Sequence, residues 1–215
     1  MTLILIVTLS TACLAGVIKP GEKIRYKIVK LGIKAGEASL TFVGPRIYRR
    51  HQTILIIFQA KGFNFFDEEH IFVDPKGLMP LFVERNLNIF GKKEKITEEY
   101  TSGHVKIIKG KEQQTIDKAG NIDNIYAFIY RYRQQGTFKL DETFDIPLPT
   151  KDVKIKLVKQ ESLNVAQKKY DAFYMESDPA DYKIWFDASE KKIPLRINGA
   201  IRMASADMVM IKYEK

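Results

Sequence analysis

Apolar and polar residues alternate with a period of two along most of this chain. Ile24, Tyr26 and Ile28 alternate with Arg25 and Lys27. Leu81 and Val83, then Leu87 and Ile89, oppose Glu84, Asn86 and Asn88. Val153, Ile155 and Leu157 alternate with Lys154 and Lys156, and Ile193, Leu195, Ile197, Ile201 and Met203 oppose Arg196, Asn198 and Arg202. Successive strand side chains point to opposite faces, so each run puts one face on a core and the other in water. Turn chemistry separates the runs. Asp74-Pro75-Lys76-Gly77 joins a proline that presets φ to a glycine that accepts a positive one. Lys109-Gly110-Lys111 and Asp187-Ala188-Ser189-Glu190 read as hairpin connections. Roughly ten or more strands follow from these signals. The pattern predicts a mainly β fold: a strongly curved antiparallel sheet, open or closed into a barrel-like form, or a sandwich.

One stretch departs from period two. Ile122, Ile125, Tyr126, Ile129, Tyr130 and Arg133 recur at three and four residues, which predicts one amphipathic helix near 122–135. Asn121 or Asp123 is placed to cap its start, and Gly136 to end it. With no partner helix, its apolar face must pack on the sheet or across the mouth of a barrel. Residues 32–42 are unusual in another way. If extended, Gly32, Gly36 and Ala38 share a face with Leu40 and Phe42. Small residues on an inward face allow a bulge in a curved sheet, close approach of another backbone, or a ligand.

The N-terminal residues change the picture of compartment. Met1 to Val17 carry no charged side chain; Leu3, Ile4, Leu5, Ile6, Val7 and Leu9 form an apolar run, followed by the small residues Ser10, Thr11, Ala12, Cys13 and Ala15. This is the layout of a secretory signal over residues 1–15, although the usual basic start is missing. The run is too short for the ~20 residues that span a bilayer. A buried first strand is the alternative. Cys13 adds a choice. A lipoprotein signal places Leu and two small residues before the lipidated cysteine; here Ser10 stands where Leu is expected. Lipidation of Cys13 and ordinary cleavage after Ala12 or Ala15 both stay open. A membrane contact is expected only through this anchor, if Cys13 is modified. The remainder, 17–215, reads as a single mainly-β domain, because no Pro/Gly/Ser-rich linker or internal repeat divides it.

Composition narrows the classes further. Apolar residues make up 45% of the 215, enough for a sizeable core, and charged residues 28%. Mean hydropathy of -0.21 argues against an integral membrane protein. The net charge of +9 is scattered through strands, as in Lys154-Ile155-Lys156, and not gathered on one helix or patch, so no nucleic-acid partner is expected. Cys13 is the sole cysteine, which leaves the body no internal disulfide and no thiolate metal site.

Candidate chemistry is sparse. His51, His70 and His104 sit in no ligand spacing. His70 lies beside Asp67, Glu68 and Glu69, an oxygen-rich stretch that reads first as a solvated strand end. Glu98-Glu99 and Asp141-Glu142 are neighbours in sequence, and strand neighbours point to opposite faces, so neither pair converges on one bond by itself. There is no G-x-S-x-G elbow, P-loop or G-x-G-x-x-G. No catalytic residue, metal ligand or cofactor is assigned. Phe63, Phe65 and Phe66 are denser in aromatic surface, with Phe63 and Phe65 on one strand face and Phe66 on the other. Together with Gly36, Tyr126 and Tyr130, Phe63 and Phe65 form a candidate apolar pocket; ordinary core is the alternative.

Several segments resemble, in order, a bacterial exported-protein family called domain of unknown function 3108. They are Gly32-Ile33-Lys34-Ala35-Gly36-Glu37-Ala38, Phe72 to Pro80, the helix Asp123 to Arg133, and Ile184-Trp185-Phe186-Asp187 with Ile193-Pro194-Leu195-Arg196 behind it. The resemblance spans Ile24 to Tyr213. It implies export to the periplasm or outer envelope and a mainly antiparallel β fold. It implies no activity. The leading expectation is therefore a non-catalytic envelope protein binding an apolar or lipid-like ligand in a concave β face. The alternatives are an envelope assembly or scaffold protein docking a protein partner through sheet edges or its basic face, and a hydrolase of envelope polymer or lipid.

Overall fold

A computed structural model describes residues 18–200 and 206–215. The expected export segment, with Cys13, lies outside the described residues. The strands are β1 (Glu22–Lys30), β2 (Ile33–Tyr48), β3 (His51–Gly62), β4 (Phe65–Val73), β5 (Pro80–Ile89), β6 (Lys92–Thr101), β7 (His104–Lys109) and β8 (Glu112–Asp117). Helix α1 (Ile125–Gln135) follows, then β9 (Thr143–Leu148), β10 (Lys151–Val165), β11 (Lys168–Asp178), β12 (Lys183–Asp187), β13 (Pro194–Asn198) and β14 (Asp207–Glu214).

All fourteen strands form one antiparallel sheet in the order β8-β7-β6-β5-β4-β3-β2-β1-β14-β13-β12-β11-β10-β9. Two meanders, β1 to β8 and β9 to β14, are thus sewn together where β1 pairs with β14, with Ile24 opposite Tyr213 and Ile28 opposite Met208. The sheet curls without closing, and β8 and β9 remain its two edges. The expected alternation is present: in β1, Ile24, Tyr26 and Ile28 are fully buried while Arg25 and Lys27 face water.

Helix α1 carries the chain from one edge to the other through the concave side. It touches both meanders. The Tyr126 ring stacks on Phe58 of β3 at 4.1 Å, and Tyr132 meets Phe144 of β9 at 4.9 Å and Phe186 of β12 at 5.5 Å. The helix therefore lies inside the curl, not across its mouth. Its start is capped by Asn124, one residue after Asp123 and three after Asn121, the two expected caps: Asn124 Oδ1 accepts from the backbone N–H of Tyr126 (2.9 Å) and Ala127 (3.3 Å). Asp123 is occupied elsewhere, in an ion pair with Arg131. Gly136 ends the helix as expected, its N–H donating to the Tyr132 carbonyl.

The glycine-rich strand is a bulge and a close approach. The β1–β2 register slips between Ile28 and Val29, beside Gly36. Gly36 faces Gly62 across β2 and β3, and a Cβ on Gly36 would lie 2.3 Å from the Lys61 carbonyl oxygen. Only glycine permits the two strands to meet there.

Candidate functional site

Phe63, Phe65, Tyr126, Tyr130 and Gly36, the five residues expected to line an apolar pocket, fall at different places in the fold. Tyr126 and Tyr130 are buried at 2% and 0% exposure, with Tyr130 against Phe42 at 5.3 Å. Phe65 begins β4 and packs partly against the core. Gly36 sits at the bulge. Phe63 is in the β3–β4 turn, 91% exposed, and shares no strand face with Phe65. Eight of the eleven helix residues are buried, among them Ala127, Phe128 and Ile129, so α1 fills the concave side. A groove of about 480 Å³ runs beside the helix, between Phe128, Arg131 and Tyr132 of α1 and Glu142, Phe144 and Asp145 at β9. Another, of about 690 Å³, is lined by Lys168, Tyr170, Lys191, Ile193, Met210 and Lys212 among others.

What the interior does hold is charge. Arg133, at 0% exposure, donates from Nη1 to Glu22 Oε1 (2.6 Å) and from Nη2 to Glu22 Oε2 (3.1 Å). Tyr213 donates its hydroxyl to the same carboxylate at 2.9 Å. This ties the end of the helix to the β1–β14 seam. A second network lies under the helix start. Arg85 holds Asp67 through two parallel hydrogen bonds and Glu69 at 3.2 Å. Glu98 accepts from the Tyr100 hydroxyl. Burial pushes the Glu69 carboxyl up to about 7, although Arg85 opposes the shift. Burial raises Glu98 as well, against its hydrogen bond from Tyr100.

Asp67, Glu69, Glu98 and Asp123 thus converge from three separate segments, which strand-by-strand reading missed. A signal was present. Asp67 and Glu69 continue the inward parity of Ile71 and Val73, and Arg85 stands between the inward Val83 and Leu87. The stretch expected to be a solvated strand end is therefore split: His70 and Glu68 pair on the outer face at 3.3 Å, while Asp67 and Glu69 are buried. Glu98 and Glu99 part as expected, Glu99 reaching Arg49 at 3.6 Å. Among the described residues no group of three or more His, Cys, Asp and Glu is arranged to hold a metal ion. A carboxyl near neutral pKa suits proton transfer. Here it is packed beneath the helix start, in hydrogen-bonding reach of the capping Asn124.

The family model described as protein of unknown function, DUF3108, matches residues 23–211. The chain belongs to the DUF3108 family. Its turn motifs have a physical role in the structure: Asp74 Oδ2 accepts from the backbone N–H of Lys76 (3.1 Å) and Gly77 (2.6 Å), and Asp187 Oδ1 from that of Ser189 (3.1 Å). No curated protein matches the DUF3108 chain. Among solved structures, a β-barrel-like protein of the domain of unknown function DUF1849 from Brucella abortus is similar, with a TM-score of 0.54 and 10% identity over 91% of this chain and 97% of that one. A "putative lipoprotein" from Parabacteroides distasonis (TM-score 0.32, 10% identity, 91% and 96% covered) and a "putative exported protein" from Bacteroides fragilis (TM-score 0.34, 10% identity, 92% and 97% covered) are more distant in shape. The first likeness supports the curled β architecture.

Proposed function

We propose that this DUF3108 protein is an exported component of the bacterial envelope that acts by docking a protein partner, without catalysis of its own. The observation that carries the reading is the open edge: eight of the eleven α1 residues are buried against the concave face, while the outer backbone of the sheet's edge strands is left unpaired. Edge strand β8 is suited to docking. Its residues Glu112, Gln113, Gln114 and Thr115 are all exposed, and one side of its backbone pairs with β7 while the other is open. An open edge of six residues accepts an extended segment of another chain by strand addition.

A photo-crosslinkable residue at Gln114 should trap one discrete envelope protein in intact cells. Proline at Gln114 and at Thr115, tested separately, should abolish trapping in whichever variant loses the outward N–H, with the fold retained. No adduct from any β8 position would overturn the edge as the docking site. The apolar-ligand reading would have to use the groove beside α1, where Arg131, Glu142 and Asp145 stand among Phe128, Tyr132 and Phe144 and disfavour an acyl chain. An environment-sensitive lipid probe should therefore show no shift with the wild-type protein, and a saturable shift would favour that reading instead.

A further inference from the structure

Four of the five most exposed apolar side chains among the described residues lie at one end of the sheet. Leu31 (90%), Ile33 (72%), Phe63 (91%) and Phe90 (80%) all sit at the turns of β1–β2, β3–β4 and β5–β6. Ile47, at 81%, is near the opposite end of β2. The three hairpins are adjacent in the sheet and turn at the same end, so their tips follow one rim about 10 Å apart. Two are linked directly, the Phe90 N–H donating to the Asn64 carbonyl at 2.8 Å.

Turn chemistry does not account for these residues. Leu31-Gly32 and Phe90-Gly91 are two-residue loops with positive φ at both positions (51° and 79°, 50° and 83°). The first position of such a loop favours Asn, Asp or Gly, and a bulky side chain there is strained. Leu31 and Phe90 therefore cost the fold something while pointing into water. Lysines surround them. Lys30, Lys34, Lys61, Lys92 and Lys93 flank the tips and are exposed, and Lys111 lies in the next turn along the rim. Glu37, Glu94 and Glu112 are the nearby acids; Glu37 is engaged with Lys34 (2.8 Å) and Glu94 with Lys109 (3.0 Å).

From this juxtaposition we infer that the rim of hairpin tips docks on a lipid bilayer surface bearing anionic headgroups. Discrete apolar tips separated by lysines form no continuous patch for a protein core, but a bilayer interface admits each one singly. Leu31, Ile33, Phe63 and Phe90 enter the boundary between headgroups and acyl chains, while the lysines stay at the level of the phosphates. Each lysine near an anionic surface adds about 1 kcal/mol, an attraction that salt screens. The β8 edge is a different surface, so this inference does not rest on the partner docked there.

The test is co-flotation of the exported protein, as isolated from cells, with vesicles of phosphatidylcholine alone or mixed with phosphatidylglycerol. Whatever the N-terminal residues contribute is common to all variants. Wild type should bind the mixed vesicles about tenfold better than the neutral ones and release in high salt. The combined Leu31→Asn, Phe63→Asn and Phe90→Asn variant should lose about tenfold in binding, with its melting temperature unchanged or raised, because asparagine accepts the positive φ of positions 31 and 90 and Phe63 is an exposed turn residue. A Lys61→Glu and Lys93→Glu variant should lose the preference for phosphatidylglycerol. Equal binding to both vesicle types, or no loss in the triple tip variant, would overturn the inference.

Discussion

Arg133 and Glu22 meet at zero exposure, with Tyr26 and Tyr130 around them. Removing one partner leaves the other charge buried alone. Arg133→Met should cost about 3–5 kcal/mol in denaturant unfolding, and a second change, Glu22→Leu, should recover much of it. Tyr130 differs from its neighbours, since its buried hydroxyl has no hydrogen-bond partner. Tyr130→Phe should leave stability unchanged or raise it by about 1 kcal/mol. Glu69 makes a prediction about pH. Its folded pKa of about 7 lies above the usual 4.5, so the folded state binds its proton more tightly than the unfolded chain. That contribution to stability is complete below about pH 4.5 and is lost as pH rises through about 7. Melting temperature should therefore decline across this window, with Glu98 acting in the same direction. Glu69→Gln should flatten the decline; an unaltered slope would refute the assignment. At this scale the sequence was legible where parity was simple and opaque where a charge occupied an inward position. Asp67, Glu69 and Arg85 obey the same alternation as Ile71 and Val83, but their identity argued for solvent.

Elements were read more reliably than residues. Strands announce themselves by alternation and turns by Pro, Gly and Asp, all local properties. The helix was visible by its spacing, and its cap was displaced by one position because Asp123 was claimed by Arg131 across two turns. Asn124→Ala should lower stability by about 1 kcal/mol, measured by chemical unfolding, by orphaning two N–H groups at the helix start. Where α1 would go was not legible. Its spacing requires an apolar partner surface, but nothing local states that β3, β9 and β12 all supply one. Tyr126 and Tyr130 lie on the apolar helix face that the spacing of three and four residues marked, and both are buried. They plug the curl, and Phe63, read as part of the same pocket, belongs to a turn because Asn64 takes a positive φ (56°) and reverses the chain there.

At the scale of the molecule, the order of strands is the property that alternation cannot reveal. Pairing of β1 with β14 joins residues some of which are more than 180 positions apart, as Tyr213 and Glu22 illustrate. Met208 of β14 is fully buried at that seam. Met208→Asp should therefore loosen both meanders together. Limited proteolysis should show simultaneous loss of the β1–β8 and β9–β14 regions, and survival of either one as a stable fragment would show that it folds alone.

The seam also sets an order of events. The strand that unites the sheet is the last of the described strands in the chain, so while synthesis runs from β1 onward, the middle of the sheet is the part still missing. Each meander waits with an unpaired inner strand, and α1 has only one wall to rest on. For a chain leaving the cytoplasm, as proposed above, the two halves of the sheet can join only once β14, the last of the described strands, has emerged.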